Sequence, residues 1–219
     1  MDPADRFAGL VHRAAPADHL DVMAGLIGCA FEPDAEVDEV VLGLDRLAAG
    51  CAPSFESIMA LFAHGPLQGN RADYGDPRNS YLHQVLRRGL GIPITLSICA
   101  MEIGRRRGVE IHGVGLPGHF LVRCGDVFGD PFHGGRQYAL DEVEPVWHTM
   151  TGIRDPLDPR LLEPALDRSI LLRMLNNLKN TFVAMDDPVP LRVLARLRGA
   201  FAELAHERAE YGRWLRHWN

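Results

Sequence analysis

His119 and Asp130 are the pair in this sequence best able to do chemistry. They end two short apolar runs, His119–Arg123 and Val127–Asp130, which flank Cys124, Gly125 and Asp126. Either Cys124-Gly125 or Gly125-Asp126 makes a two-residue hairpin turn. Both turns pair odd positions with even ones, so imidazole and carboxylate share one face, opposite or diagonal. A carboxylate beside an imidazole fixes its orientation and tautomer, which prepares it for general acid–base work. An enzyme built this way needs one ring nitrogen, expected to be Nδ1, bonded to Asp130. The other would face an open cleft.

A nucleophile is harder to find. Thr95 lies in the first turn expected of the preceding helix. A helix dipole worth ~1 kcal/mol cannot ionise a hydroxyl, so Thr95 would need His119 within reach as its base, in the manner of a Ser-His-Asp triad. Ser97 is a second hydroxyl, two residues along the helix. Cys99 lies further along and is expected to point into the packing. Water activated by His119 is the remaining choice, with free N–H groups at the helix start to hold an oxyanion or carboxylate. The alternative without chemistry is a hydrogen-bonded pair that only holds the hairpin. A metal set from His119, Asp130, His133 and His112 is the weakest reading, because no HxxH or HExxH spacing occurs. No metal or cofactor is expected.

Three elements must position these groups. Pro93 suits a first helical turn. Ile94, Leu96, Ile98, Cys99, Met101 and Ile103 then form a mostly apolar helix, closed by Arg105, Arg106, Arg107 and Gly108. That helix rises ~20 Å, and the run Val109–Leu116 covers about the same distance back as a strand. The turn Leu116-Pro117-Gly118 would then deliver His119 to the helix start. Before the helix, a loop from Gly65 to Arg78 excludes regular structure by its Gly, Pro, Asn and Asp content. Asn79 should cap a helix over Ser80–Arg88. Tyr74, Asp76 and Asn79, together with Pro93 at the helix mouth, could wall one side of a substrate site. After Asp130, Phe132 could cover the site and Arg136 could meet an anionic group. For all of these, ordinary loop packing is the plainer explanation.

The phrases YGDPRNSYLHQVLRRGLGIPITLS, GVGLPGHFLVR, DPFHGGR and ILLRMLNNLKN resemble the SirB-type branch of the transglutaminase-like superfamily. Its second type of core domain also occurs attached to some eukaryotic F-box proteins. The resemblance implies an α+β fold related to papain-type thiol proteases, with a helix packed on a small antiparallel sheet. It also implies that His119 and Asp130 match the family's His and Asp. Transglutaminases place a nucleophilic Cys at the first turn of that helix, where this chain has Pro93 or Thr95. Two functions follow: an acyl-group enzyme (hydrolysis, transfer or cyclisation of amides or esters) with an unusual nucleophile, or a silent module that binds a peptide or small acidic ligand in the old cleft.

The rest of the sequence frames this core. The 219 residues are read as one domain, with N-terminal helices over 1–65, the core over 66–160 and C-terminal helices over 161–219. Pro16-Ala17-Asp18 should open a helix that ends near Pro33, Asp34–Ala49 forms another, and Ser54 caps a third. Prolines 145, 156, 159 and 164 restrict 138–166 to short helices, and Ser169 or Asp167 should cap a long one. A last helical stretch from Leu191 carries Trp214 and Trp218, which could anchor a protein partner. A net charge of −6 without a basic block argues against nucleic acid. No run is long and apolar enough to span a membrane. Four cysteines without CxxC spacing, and no signal-peptide pattern, suit a cytoplasmic protein.

Overall fold

A shell of helices built from both halves of the chain surrounds the expected helix-and-sheet unit. The computed structural model describes residues 1–13 and 20–207. The first four helices are α1 (Pro3–His12), α2 (Leu20–Phe31), α3 (Val37–Ala49) and α4 (Phe55–Ala63). Ser54 caps α4 as expected, accepting the Ser57 N–H. The opening proposed at Pro16-Ala17-Asp18 lies outside the described residues.

A long loop then begins with β1 (Gln68–Gly69) and ends in a 3-10 turn, Pro77–Ser80, before α5 (Leu82–Arg88) and β2 (Leu90–Gly91). β1 and β2 pair in parallel, Gln68 with Leu90 and Gly69 with Gly91. Asn79 is therefore not the cap of a helix over Ser80–Arg88. Asp76 caps the 3-10 turn by accepting the Arg78 N–H, and α5 begins only after Tyr81. The Asn79 side chain is spent inside the loop.

The central helix α6 runs Pro93–Arg107, with Pro93 in its first turn and Gly108 in the left-handed conformation at its end (φ 70°). The sheet is a simple meander, β3 (His112–Leu116), β4 (His119–Cys124), β5 (Val127–Asp130) and β6 (Arg136–Tyr138), each strand antiparallel to the last. Cys124 pairs with Val127, so Gly125-Asp126 is the hairpin turn. Helices α7 (Leu140–Thr151), α8 (Asp167–Met185) and α9 (Pro188–Gly199) complete the described fold. Pro145 lies inside the twelve-residue α7, so the prolines restrict this region less than expected. The α8 cap position is Leu166, without a side-chain bond, so neither Asp167 nor Ser169 caps it.

Alternation along β4 separates two cores. Phe120 and Val122 join the main core with Ile94, Ile98 and residues of α2, α8 and α9. Leu121 and Phe128 face the other way, into a smaller cluster with Val143 and Trp147 of α7. Phe7 of α1 meets Phe201 with ring centroids 6.0 Å apart. Among the described residues no helix is long and apolar enough to cross a membrane.

Candidate active site

Continuing the β4–β5 register places Leu121 opposite Asp130, so His119 stands diagonal to the carboxylate on the same face. His119 Nε2 lies 2.8 Å from Asp130 Oδ2. The same oxygen receives His133 Nδ1 at 2.7 Å, and Asp130 Oδ1 accepts the His133 backbone N–H at 3.0 Å. Asp130 is completely buried. Burial alone would raise its pKa, but the hydrogen bonds and charges of His119 and His133 outweigh that and hold it well below the usual carboxylate range.

A carboxylate oxygen only accepts, so each imidazole presents N–H toward Asp130. In the neutral ring His119 is then protonated at Nε2, which leaves the Nδ1 lone pair free. The expected Nδ1–Asp130 bond is thus replaced by one through Nε2. His119 is 5% exposed. Among the described residues its Nδ1 has no hydrogen-bond partner, and the atom is not fully sealed. A positioned imidazole with an open, basic nitrogen is the arrangement general-base catalysis needs.

His119, Asp130 and His133 also offer three potential metal-binding atoms within 4.8 Å of one another. The donors stand at hydrogen-bond distance, and a zinc-like ion bonded at ~2.0–2.2 Å would have to displace both protons. The geometry is that of a carboxylate bridging two imidazoles. His112 takes no part; it pairs with Glu110 at 3.2 Å.

Phe132 lies edge-on to His119, with ring centroids 6.3 Å apart, and Tyr74 lies edge-on to Phe132 at 6.0 Å. These two expected wall residues therefore do reach the imidazole side of the fold. Arg71, which the sequence did not single out, stands 5.9 Å from the Phe132 ring centre. The backbone passes close here: a Cβ on Gly69 would lie 2.4 Å from the Phe132 carbonyl oxygen.

Thr95 is placed differently from expectation. It is fully buried. Its hydroxyl donates to the Asn79 carbonyl at 2.8 Å and accepts the Ile92 N–H at 3.1 Å, and no hydrogen bond joins it to His119. Ser97 is fully buried with an unpartnered hydroxyl. Burial pushes the Cys99 thiol up to about 12, so it has no thiolate to offer.

The remaining expected wall residues divide. Asn79 is buried; it accepts from Asn70 at 3.0 Å and donates to the Asp73 carbonyl at 2.7 Å, fixing the loop. Asp76 pairs with Arg78 at 2.9 Å and Arg88 at 3.0 Å. Pro93 is buried in the first turn of α6. Arg136 is exposed and opposite Asp130 in the β5–β6 register. Sequence reasoning missed His133 as a second partner of Asp130 outside a metal site, although its offset of three residues, across Pro131-Phe132, is visible in the sequence. It also missed Arg173 of α8, whose Nη2 donates to the carbonyls of Leu116 and His119, both at 2.6 Å.

Residues 36–176 match the family model described as the transglutaminase-like superfamily. A UPF0162 protein of Xylella fastidiosa (strain Temecula1) is 38% identical over 159 residues, which is 69% of this chain and 54% of the relative. A UPF0162 protein of Pseudomonas aeruginosa is 31% identical over 70% of this chain and 58% of its own length. Human F-box only protein 21 is 40% identical over 89 residues, 35% of this chain and 14% of that protein. The chain thus spans about half the length of the bacterial relatives it matches. No solved structure is significantly similar.

Proposed function

The chain belongs to the transglutaminase-like superfamily, and on that footing we propose that it is an acyl-group enzyme whose base is His119. Its reaction is hydrolysis, transfer or cyclisation of an amide or ester. The unpartnered, incompletely sealed Nδ1 of an imidazole anchored on a buried carboxylate carries this reading. His119 takes a proton from water or from an acceptor nucleophile through Nδ1, and Asp130 stabilises the imidazolium that forms. The attacking oxygen or nitrogen adds to the acyl carbon, and the imidazolium returns the proton to the leaving group. No thiol is required. Thr95 serves as a buried tie between α6 and the preceding loop. The narrower SirB-type assignment, the core over 66–160 and a cytoplasmic location belong to the same proposal.

The test is a panel of amide and ester substrates assayed with wild type, His119→Ala, Thr95→Ala and Cys99→Ala. Activity that disappears in folded His119→Ala and survives in the other two supports the reading. Activity untouched by His119→Ala sinks it. One observation favours a second reading, a silent peptide- or ligand-binding module: Phe132 packs edge-on against His119 and narrows its approaches. Binding without turnover across the panel would select that module.

A further inference from the structure

Arg173 carries a positive charge that the fold does not neutralise. Other arginines with restricted exposure meet carboxylates: Arg88 with Asp76 at 3.0 Å, Arg106 with Glu102 at 2.7 Å and Arg198 with Glu207 at 2.7 Å. Arg173 is half-buried and meets none among the described residues. Its guanidinium carbon lies 5.3 Å from the Phe120 ring centre. One nitrogen, Nη2, is occupied by the Leu116 and His119 carbonyls. Among the described residues Nη1 and Nε have no acceptor, and neither is fully sealed.

Such a placement is costly unless something completes it. Loss of water destabilises the charged form, and the Arg173 pKa is lowered accordingly. The Arg173 charge and the phenol of Tyr74 act on one another. Burial raises that phenol, and the Arg173 charge pulls it back down. Tyr74 is 53% exposed, and no acceptor for its hydroxyl occurs among the described residues. Arg173 and Tyr74 thus both keep donors unused, and each is tied to His119. Arg173 holds the His119 backbone, and Tyr74 reaches the His119 ring through Phe132.

We propose that Arg173 and the Tyr74 hydroxyl form a carboxylate-binding subsite beside His119. Its ligand is an acyl compound with a free carboxylate, such as an N-acylated amino acid or a peptide C-terminus. A guanidinium with free N–H donors suits a planar carboxylate, and charge-assisted bonds in a half-dry site are the stronger kind. The carboxylate supplies the missing countercharge and sets the acyl group in the direction of His119. The last step rests on the proposed function; the binding itself does not.

The experiment follows the side-chain NMR signals of Arg71, Arg136 and Arg173 while N-acetylglycine or its neutral counterpart N-acetylglycinamide is added. A dipeptide with a free C-terminus serves as the peptide arm. The acid should shift Arg173 saturably and bind at least about tenfold more tightly than the amide. Tyr74→Phe should weaken the acid by about threefold, and Arg173→Lys by more, since the ammonium lacks the planar fork. Arg173→Gln should abolish the preference. Should Arg173→Gln unfold because two carbonyls lose their donor, the Lys and Phe variants still decide the matter. His119→Ala should bind the acid unchanged while losing turnover, which separates failure of the chemistry from failure of the subsite. Equal binding of acid and amide, shifts confined to Arg71 or Arg136, or no saturation would overturn the proposal.

Discussion

Asp130 grips His119 through Nε2, at 2.8 Å, and so leaves Nδ1 as the nitrogen without a partner among the described residues. The carboxylate decides which nitrogen is available, and every expectation about the site depends on that choice.

Asp130→Asn keeps the shape and removes the charge. Both imidazoles use Oδ2 and the His133 backbone N–H uses Oδ1, so the amide either leaves that N–H without an acceptor or turns its NH2 on both rings. Because Asp130 is fully buried, the loss should be about 3 kcal/mol, read as a fall in the urea midpoint. The pH dependence has a definite sign. The folded pKa is depressed, so the stabilisation is complete above the ordinary carboxylate range, ~4, and drains away as pH falls toward the folded value. The stability gap between wild type and Asp130→Asn should therefore be wide at pH 7 and narrow steadily below pH ~4. A gap independent of pH would contradict the buried ionised carboxylate.

Thr95 should matter for stability and not for chemistry. Thr95→Val keeps the volume but leaves the Ile92 N–H and the Asn79 carbonyl unpaired in the interior. It should cost ~1–3 kcal/mol, whereas Thr95→Ser should cost less than half of that. Thermal melts give the first quantity, and the rate per folded molecule should be equal in all three proteins. A folded Thr95→Val without activity would restore the hydroxyl as nucleophile.

Thiol reagents should separate the cysteines. Cys99 is fully buried, with its thiol pushed up to about 12, while Cys124 is only half-buried. In native protein at pH 8, iodoacetamide should label Cys124 before Cys99, as peptide mass mapping would show. Activity should survive the labelling. Rapid modification of Cys99 with loss of activity would point to a thiol mechanism after all.

Gly69→Ala should disturb the site from outside it. The new methyl group would collide with the Phe132 carbonyl and ring, and the backbone atom cannot swing aside. A loss of ~1–3 kcal/mol is expected, accompanied by a shift in the His119 ring signals as Phe132 moves. Unchanged His119 signals would mean that the loop absorbs the strain alone.

The local sequence carried much of this arrangement because short-range rules govern it. Pro93 and Gly108 bounded α6, and the two-residue turn put His119 and Asp130 on one face before any tertiary contact was known. The errors arose where distant contacts decide. Asn79 looked like a helix cap, but its amide found partners in Asn70 and Asp73. Thr95 looked like a nucleophile because it stands in the first turn of α6. Its hydroxyl was claimed by the Asn79 carbonyl, sixteen residues away. Arg173 could not be recognised at all, since its bonds to the Leu116 and His119 carbonyls join residues 57 and 54 positions apart.

The meander has a kinetic consequence. Its four strands pair strictly in chain order, and the His119–Asp130 bond closes a loop of only eleven residues. Closing so short a loop costs little chain entropy, and contacts of low sequence separation favour rapid folding. Contacts such as Phe7–Phe201 require nearly the full chain to be gathered first. The imidazole–carboxylate pair can therefore assemble early, and the helical shell closes over a hairpin in which it is already in register.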